Sequence, residues 1–141
     1  MPKIRTILDN GGAGRSGVTN LHSYNVYPTT LVAGVSGSPL VMDIALFNKY
    51  DFFHVEQVSG ATDEIALPDD APKGTRFSLY IDEIVIIQTE TDASEINGVP
   101  SKGYTCTALD LIHCTKITSS DWIMHKVLEV DGAITSIVPA T

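Results

Sequence analysis

The 141-residue sequence predicts an all-β protein, because strand patterns recur along it while helix patterns are nearly absent. Short runs rich in Val, Ile, Thr, Tyr and Phe alternate with turn residues about every 8–12 positions, the spacing of a β-sandwich or barrel. No window of about 11 residues has the apolar spacing of an amphipathic helix without an interrupting Gly, Pro or β-branched cluster. We therefore predict a single antiparallel β-sandwich or jelly-roll-like barrel with an extended N-terminal arm.

The arm is predicted from composition. Residues 1–29 lack an apolar pattern, and Gly, Ser, Asn and Thr dominate from Asn10 to Asn20. Such a segment favours an extended, glycine-rich arm. Residues 30–141 then form one compact β domain, a size that suits a single hydrophobic core. No internal repeat is detected in the sequence.

Ten strands are predicted after the arm, each bounded by turn residues. They are Thr30–Val35, Leu40–Phe47, Asp51–Val58, Glu64–Leu67, Thr75–Ile81, Ile84–Thr89, Tyr104–Thr107, Leu109–Thr115, Asp121–Val130 and Ala133–Val138. The first ends at a Ser-Gly-Ser-Pro sequence, the second at Asn-Lys, the third at Ser-Gly and the fourth at Pro-Asp-Asp. Gly, Pro, Asn and Asp are the residues that turns favour.

The later strands are justified by alternation. Thr75–Ile81 places apolar and polar side chains on opposite faces, and Ile84–Thr89 is apolar enough to be covered on both. Tyr104–Thr107 and Leu109–Thr115 are close enough to form a hairpin. Asp121–Val130 ends at Asp-Gly, and the last strand stops at a proline.

The charge balance excludes several classes of partner. The net charge is −8, and the nine Lys and Arg residues form no cluster. A nucleic-acid binder needs a basic surface to neutralise phosphates, so we expect no nucleic acid and no anionic membrane as partner. No apolar run approaches the roughly 18 residues of a membrane span, and no signal peptide is recognised. The low charged fraction of 18% favours a surface partly covered by other subunits.

A glycine motif near the N-terminus has the spacing of a dinucleotide-binding turn. Gly12, Gly14 and Gly17 spell G-x-G-x-x-G. That chemistry needs a helix after the motif and an acidic residue about 20 positions on. Asn, β-branched residues and Pro28 disfavour the helix, and the next acidic residue, Asp43, is too distant. We therefore interpret these glycines as residues that give the backbone of the arm conformational freedom, and we expect no bound cofactor.

Metal binding and catalysis are likewise not expected. The candidate ligands are His22, His54, Cys106, His113, Cys114 and His125. The two cysteines lack the close spacing of a zinc site, so buried reduced thiols are the simpler interpretation. Acidic groups such as Asp82-Glu83 fall at predicted turns without the pattern of a calcium loop. No G-x-S-x-G nucleophile motif occurs, so no enzyme is predicted, and a small hydrolase has no supporting constellation.

The segment from Ala61 to Val127, about half of the chain, resembles the small β modules of bacteriophage virions. Such modules occur in capsid decoration proteins and at the ends of tail fibres. They share a strand ending in Leu-Pro, a Gly-Thr turn, an Ile-Asn-Gly turn and a final strand with a tryptophan. The matching residues are Leu67, Pro68, Gly74, Thr75, Ile96, Asn97, Gly98 and Trp122. Leu31–Val58 has no counterpart in the bare module.

The physical chemistry of the matching residues agrees with roles in turns and core. A proline ends strand hydrogen bonding, and Gly74 can take a positive φ. Asn97-Gly98 suits a type I′ reversal, and Ile96 would anchor the strand before it. Trp122 is most simply a core residue, although an exposed, ligand-stacking tryptophan is the alternative.

The resemblance implies a non-enzymatic virion protein, assembled in the host cytoplasm, that decorates the outer capsid surface and stabilises the head. Its partners would be the major capsid protein and two copies of itself in a trimer. Capsid or subunit contacts are expected from Arg15 in the arm and from the aromatic stretch Phe47, Tyr50, Phe52 and Phe53. The alternative is a receptor-binding or tail-fibre-tip module that recognises host glycan through Tyr24, Tyr27, Tyr50 or Trp122.

Overall fold

The computed structural model describes residues 23–60, 62–100, 103–127 and 134–136. These residues form twelve strands and one short 3₁₀ helix, Ile44–Asn48, so the all-β prediction is confirmed. The strands are β1 (Leu31–Val32), β2 (Leu40–Val41), β3 (Phe52–Glu56), β4 (Glu64–Leu67), β5 (Arg76–Ile81), β6 (Val85–Thr89), β7 (Glu95–Ile96), β8 (Val99–Pro100), β9 (Tyr104–Cys106), β10 (Leu111–Lys116), β11 (Asp121–Val127) and β12 (Ile134–Ser136). Among the described residues, no helix is long and apolar enough to cross a bilayer.

The first six strands wind as a β-solenoid-like stack of coils. The chain alternates between two sheets, so that β1, β3 and β5 are neighbours in one while β2, β4 and β6 are neighbours in the other. All of these pairings are parallel. Because each strand leads into the opposite sheet, the chain returns to the first sheet running in its original direction.

Equivalent positions of successive coils stack as ladders. Leu31 pairs with Val55, and Val55 pairs with Ile81. All three side chains are buried, and they follow one another at roughly 25-residue intervals, within the range of solenoid repeats. The repeat was not detected in the sequence because equivalent positions of successive coils share only their apolar character and not the same residue.

The predicted antiparallel sandwich or jelly-roll barrel is therefore wrong in its topology. Alternation along a strand fixes which side chains face inward, and that pattern is the same in parallel and antiparallel pairs. The sequence thus predicted the strands without predicting their connections. Gly34 shows how tight the first coil is, since a Cβ there would lie 2.1 Å from the carbonyl oxygen of Ser38.

The second half of the chain extends the larger sheet with strands that pair antiparallel, except for the parallel pair of β11 and β7. The sheet has the order β1-β3-β5-β10-β11-β7-β8, with β12 paired to β11, and β9 joins the smaller sheet beside β6. The predicted hairpin between Tyr104–Thr107 and Leu109–Thr115 is wrong, because β9 and β10 lie in different sheets. Leu109 has a φ of 71°, and Asp110 accepts a hydrogen bond from the Thr107 amide at 2.9 Å. This corner redirects the chain.

The predicted strand Leu40–Phe47 is also shorter than expected. It ends at Val41, and the 3₁₀ helix begins three residues later, at Ile44. Asp43 caps that helix, with Oδ1 accepting a hydrogen bond from the Ala45 amide at 2.9 Å. An aspartate side chain at such a position competes with strand hydrogen bonding.

Side chains from both sheets form one hydrophobic core, which includes Phe53, Ile65, Leu79, Ile87 and Ile112. Aromatic rings link its strands. Phe77 on β5 stacks on Phe47 with ring centres 4.6 Å apart, and it meets the rings of Phe53 and Trp122 edge-on at 5.9 and 5.8 Å. The outward faces of the same strands carry the polar side chains described below.

Candidate functional site

The outer face of the larger sheet brings together side chains that are distant in the sequence. Phe52 pairs with Ser78, Ser78 with His113, and His113 with His125, across β3, β5, β10 and β11. We call these four residues the outer row. Sequence reasoning singled out the two histidines only as scattered metal candidates, because their neighbours depend on strand register.

Ser78 and His113 are joined by a hydrogen bond of 2.7 Å between Oγ and Nδ1. Ser78 is only 3% exposed, and its amide also donates to the carbonyl of Asp51 at 2.8 Å. A nucleophile must reach its substrate, so the burial of Ser78 favours a structural hydrogen bond over a catalytic pair. Burial and the neighbouring His125 lower the pKa of His113. The lowered pKa favours the uncharged form of His113.

A surface groove of about 350 Å³ lies over the outer row. Its polar and aromatic lining includes Tyr24, Asp51, Arg76, Ser78, His113 and His125. The groove thus presents a ring, a guanidinium, a carboxylate and two imidazoles to one ligand. Its volume falls in the range of small-molecule sites.

A second cluster lies on the same face, one alternate position further along β3. His54 and Glu56 project outward from β3, and Asp82 follows the end of β5. Their potential ligand atoms all lie within 4.8 Å of one another. His54 Nε2 is 3.5 Å from Asp82 Oδ2, is covered from solvent and has no hydrogen-bond partner. We call these residues the His54 cluster.

The predicted aromatic contact residues lie at different depths. Phe53 is fully buried, so it offers no surface to a partner, while Phe47 and Tyr50 are partly buried against the core. Phe52 is half-buried on the outer face, with its ring centre 5.0 Å from that of Tyr24. A contact role stays a prediction for Phe47, Tyr50 and Phe52. Arg15 and the G-x-G-x-x-G motif lie outside the described residues.

The described part of the predicted arm, residues 23–29, runs beside β3. Asn25 donates from its amide to Asp51 Oδ1 at 2.7 Å and accepts from the Asp51 amide at 3.0 Å. Val26 forms a parallel bridge with Phe52, and the Tyr27 amide donates to the Phe52 carbonyl at 2.9 Å. This segment therefore contacts the β domain before the boundary predicted at residue 30.

The residues that the sequence predicted for turns and core lie in turns or are buried in the structure. Leu67 ends β4 and is fully buried beside the buried Pro68, and Gly74 has a φ of 94°. Asn97 and Gly98, with φ of 50° and 83°, join β7 to β8 after the buried Ile96. Trp122 is fully buried, which removes it as a glycan-stacking residue.

Cys106 and Cys114 are free thiols buried in the core, on β9 and β10. Burial raises the pKa of both far above the usual thiol value. A thiolate is the form that binds metal or attacks a substrate. Neither cysteine is therefore placed to do so in the folded chain.

The first coil leaves a free edge on each sheet within the described residues. There β1 pairs only with β3, and β2 pairs only with β4. Val32 and Val41, on these two strands, are 47% and 39% exposed, and Val26 and Val35 beside them are also exposed. Unpaired strand edges with apolar side chains can add a strand from another chain.

Comparisons of this chain with protein-family models, with curated proteins and with solved structures found no match.

Proposed function

We propose that this chain is a non-enzymatic structural protein of a bacteriophage particle, a decoration or cement protein that binds the outer capsid surface and stabilises the head. The observation that carries the proposal is the edge of the first coil, where β1 and β2 have no second neighbouring strand among the described residues. Solenoid ends normally need a covering element, because a stack of coils otherwise exposes backbone donors, acceptors and apolar side chains. A partner chain would supply that cover.

Binding would combine strand addition with apolar burial. A strand of the major capsid protein, or of a second copy of this chain, would complete the hydrogen bonds of β1 or β2. The exposed Val32 and Val41 would lose contact with water in the same step. A trimer would make several such contacts at once, so one broken contact would not release it.

The sequence resemblance supports the same assignment. It rests on the turn and core residues between Leu67 and Trp122. The partly buried Phe47, Tyr50 and Phe52 are a further contact surface in this proposal.

The test is cosedimentation of the full chain with expanded, DNA-free capsids of its own phage. We expect binding at a fixed number of copies per capsid. Val32→Lys combined with Val41→Lys should abolish binding, because charge on an edge strand opposes strand addition. The control is Ile117→Lys, which places a lysine at another exposed apolar residue, in the β10–β11 turn. Equal binding by the edge variant and the control, or no binding by the wild type, would refute the proposal.

The groove over the outer row favours a second candidate, recognition of a host glycan by a receptor-binding module. Its lining combines Tyr24, which is 41% exposed, with Arg76 and Asp51. A sugar could stack on the tyrosine ring and form hydrogen bonds with the two charged side chains. Screening on a glycan array tests this. Tyr24→Ala should remove binding, whereas Tyr80→Ala, on the same face outside the groove, should not. An array without any bound glycan would refute this candidate.

A further inference from the structure

We propose that the His54 cluster is a binding site for a divalent transition-metal ion, with Zn²⁺ as the best fit. The inference does not depend on the proposed function, because it rests only on His54, Glu56 and Asp82. Sequence analysis predicted no metal site, since it judged the cysteines and histidines by their spacing. The parallel register of β3 and β5 creates this cluster instead.

Strand register sets the geometry. Val55 pairs with Ile81 and both point into the core, so Glu56 and Asp82, the next residues along the chain, are neighbours on the outer face. The Asp82 amide donates to the Val55 carbonyl at 2.9 Å, which fixes the start of the loop after β5. His54 lies two positions before Glu56 and therefore shares its face.

The interatomic distances suit coordination. His54 Nε2 and Asp82 Oδ2 are 3.5 Å apart. Two ligands of a tetrahedral zinc ion with bonds of about 2.0–2.1 Å are separated by about 3.4 Å. All three ligand atoms lie within 4.8 Å of one another, so a small side-chain rotation would close the set around one ion.

The cluster has two carboxylates for one imidazole. Carboxylates at neighbouring positions on adjacent strands repel each other, and a divalent cation between them reverses that effect. His54 Nε2 is covered from solvent without a hydrogen-bond partner, although buried polar atoms normally have one. A metal ion in front of this nitrogen would satisfy it.

The ligand set selects the class of metal. Calcium and magnesium prefer oxygen ligands alone, whereas an imidazole favours zinc, copper, iron or nickel. One nitrogen and two carboxylates leave a further position of a four-coordinate ion for water. The His54 and Asp82 side chains are 38% and 43% exposed, so the cluster lies at the protein surface.

The experiment is calorimetric titration of Zn²⁺ into the full chain, purified without a histidine tag and treated with a chelator. We expect one ion per chain. His54→Gln and Asp82→Asn should each lower the affinity at least about tenfold, since each removes one of three ligands. The matched control is His125→Gln, an outward-facing histidine of the same sheet, which should leave the affinity unchanged. Circular dichroism identifies any variant that does not fold, and the other ligand variant then carries the test.

A second readout identifies the ligands. Co²⁺ bound at this site should give a visible absorption spectrum that His54→Gln changes and His125→Gln does not. The proposal is overturned if zinc does not saturate the protein at millimolar concentration. It is equally overturned if binding survives His54→Gln and Asp82→Asn, or if the His125 variant loses it.

Discussion

Lys116 and Trp122 face each other across β10 and β11, with the lysine ammonium 5.5 Å from the centre of the indole ring. Lys116 is only 1% exposed, and Nζ donates a hydrogen bond to the carbonyl of Asp69. The charge is therefore held between a ring face and a carbonyl dipole, which offsets part of the cost of its burial. This contact also ties the β4–β5 loop to the larger sheet.

We predict that Lys116→Ala lowers the free energy of unfolding by about 2–4 kcal/mol, because it leaves a cavity and an unpaired carbonyl. Lys116→Met keeps most of the volume and should cost less. Urea unfolding followed by tryptophan fluorescence measures both. If the two variants were equally stable, packing of the lysine side chain would not contribute.

Asp63 should make stability depend on pH at the acidic end. Its carboxylate accepts hydrogen bonds from the amides of Val58 and Ser59 at 2.5 and 2.7 Å and from the Ser59 hydroxyl at 2.5 Å. These bonds, above all those from Ser59, lower the pKa of Asp63 from 3.8 to about 2. The folded state then binds the proton less readily than the unfolded state, so stability is lost as pH falls from about 4 to about 2.

The measurement is the free energy of unfolding of the wild type and Asp63→Asn across that pH range. We expect a steeper decline for the wild type, because the variant has no carboxylate to protonate there. Parallel curves would show that Asp63 does not cause the dependence.

His113 should titrate below its ordinary pKa of 6.5, and His125 should be responsible for only part of the shift. Burial is the larger cause and the charge of His125 the smaller one. We therefore expect His125→Gln to raise the pKa of His113 while leaving it below 6.5. Because the folded state lowers this pKa, the unfolded state binds the proton more readily. The free energy of unfolding should therefore decrease as pH falls below 6.5. Histidine ring signals in an NMR titration measure the change, and a His113 pKa that stays the same in the variant would contradict it.

Cys106 and Cys114 should be unreactive in the folded protein. Both are buried, and burial raises the pKa of each, so little thiolate exists at pH 8. A chromogenic thiol reagent should detect no thiol in native buffer and two thiols per chain in denaturant. Rapid labelling without denaturant would show that the core opens at β9 or β10.

The sequence by itself determined the secondary structure class and much of the core. Glu64–Leu67 was predicted with its observed bounds, and Thr75–Ile81 begins one residue before β5. The inward positions of β5 follow from alternation alone, because the side-chain direction of a strand is a local property. Turn residues acted locally as well, and Asn97-Gly98 makes the reversal that its composition favours.

Only the tertiary structure decided the connections and the sites. Whether Val55 pairs in parallel with Ile81 depends on how the chain closes a coil of roughly 25 residues, and no short window contains that information. This register places Glu56 beside Asp82, and the antiparallel register of β5 and β10 places Ser78 beside His113. A shift by one residue would turn these side chains to the other face of the sheet, so the candidate sites exist only once long-range pairing has fixed the register.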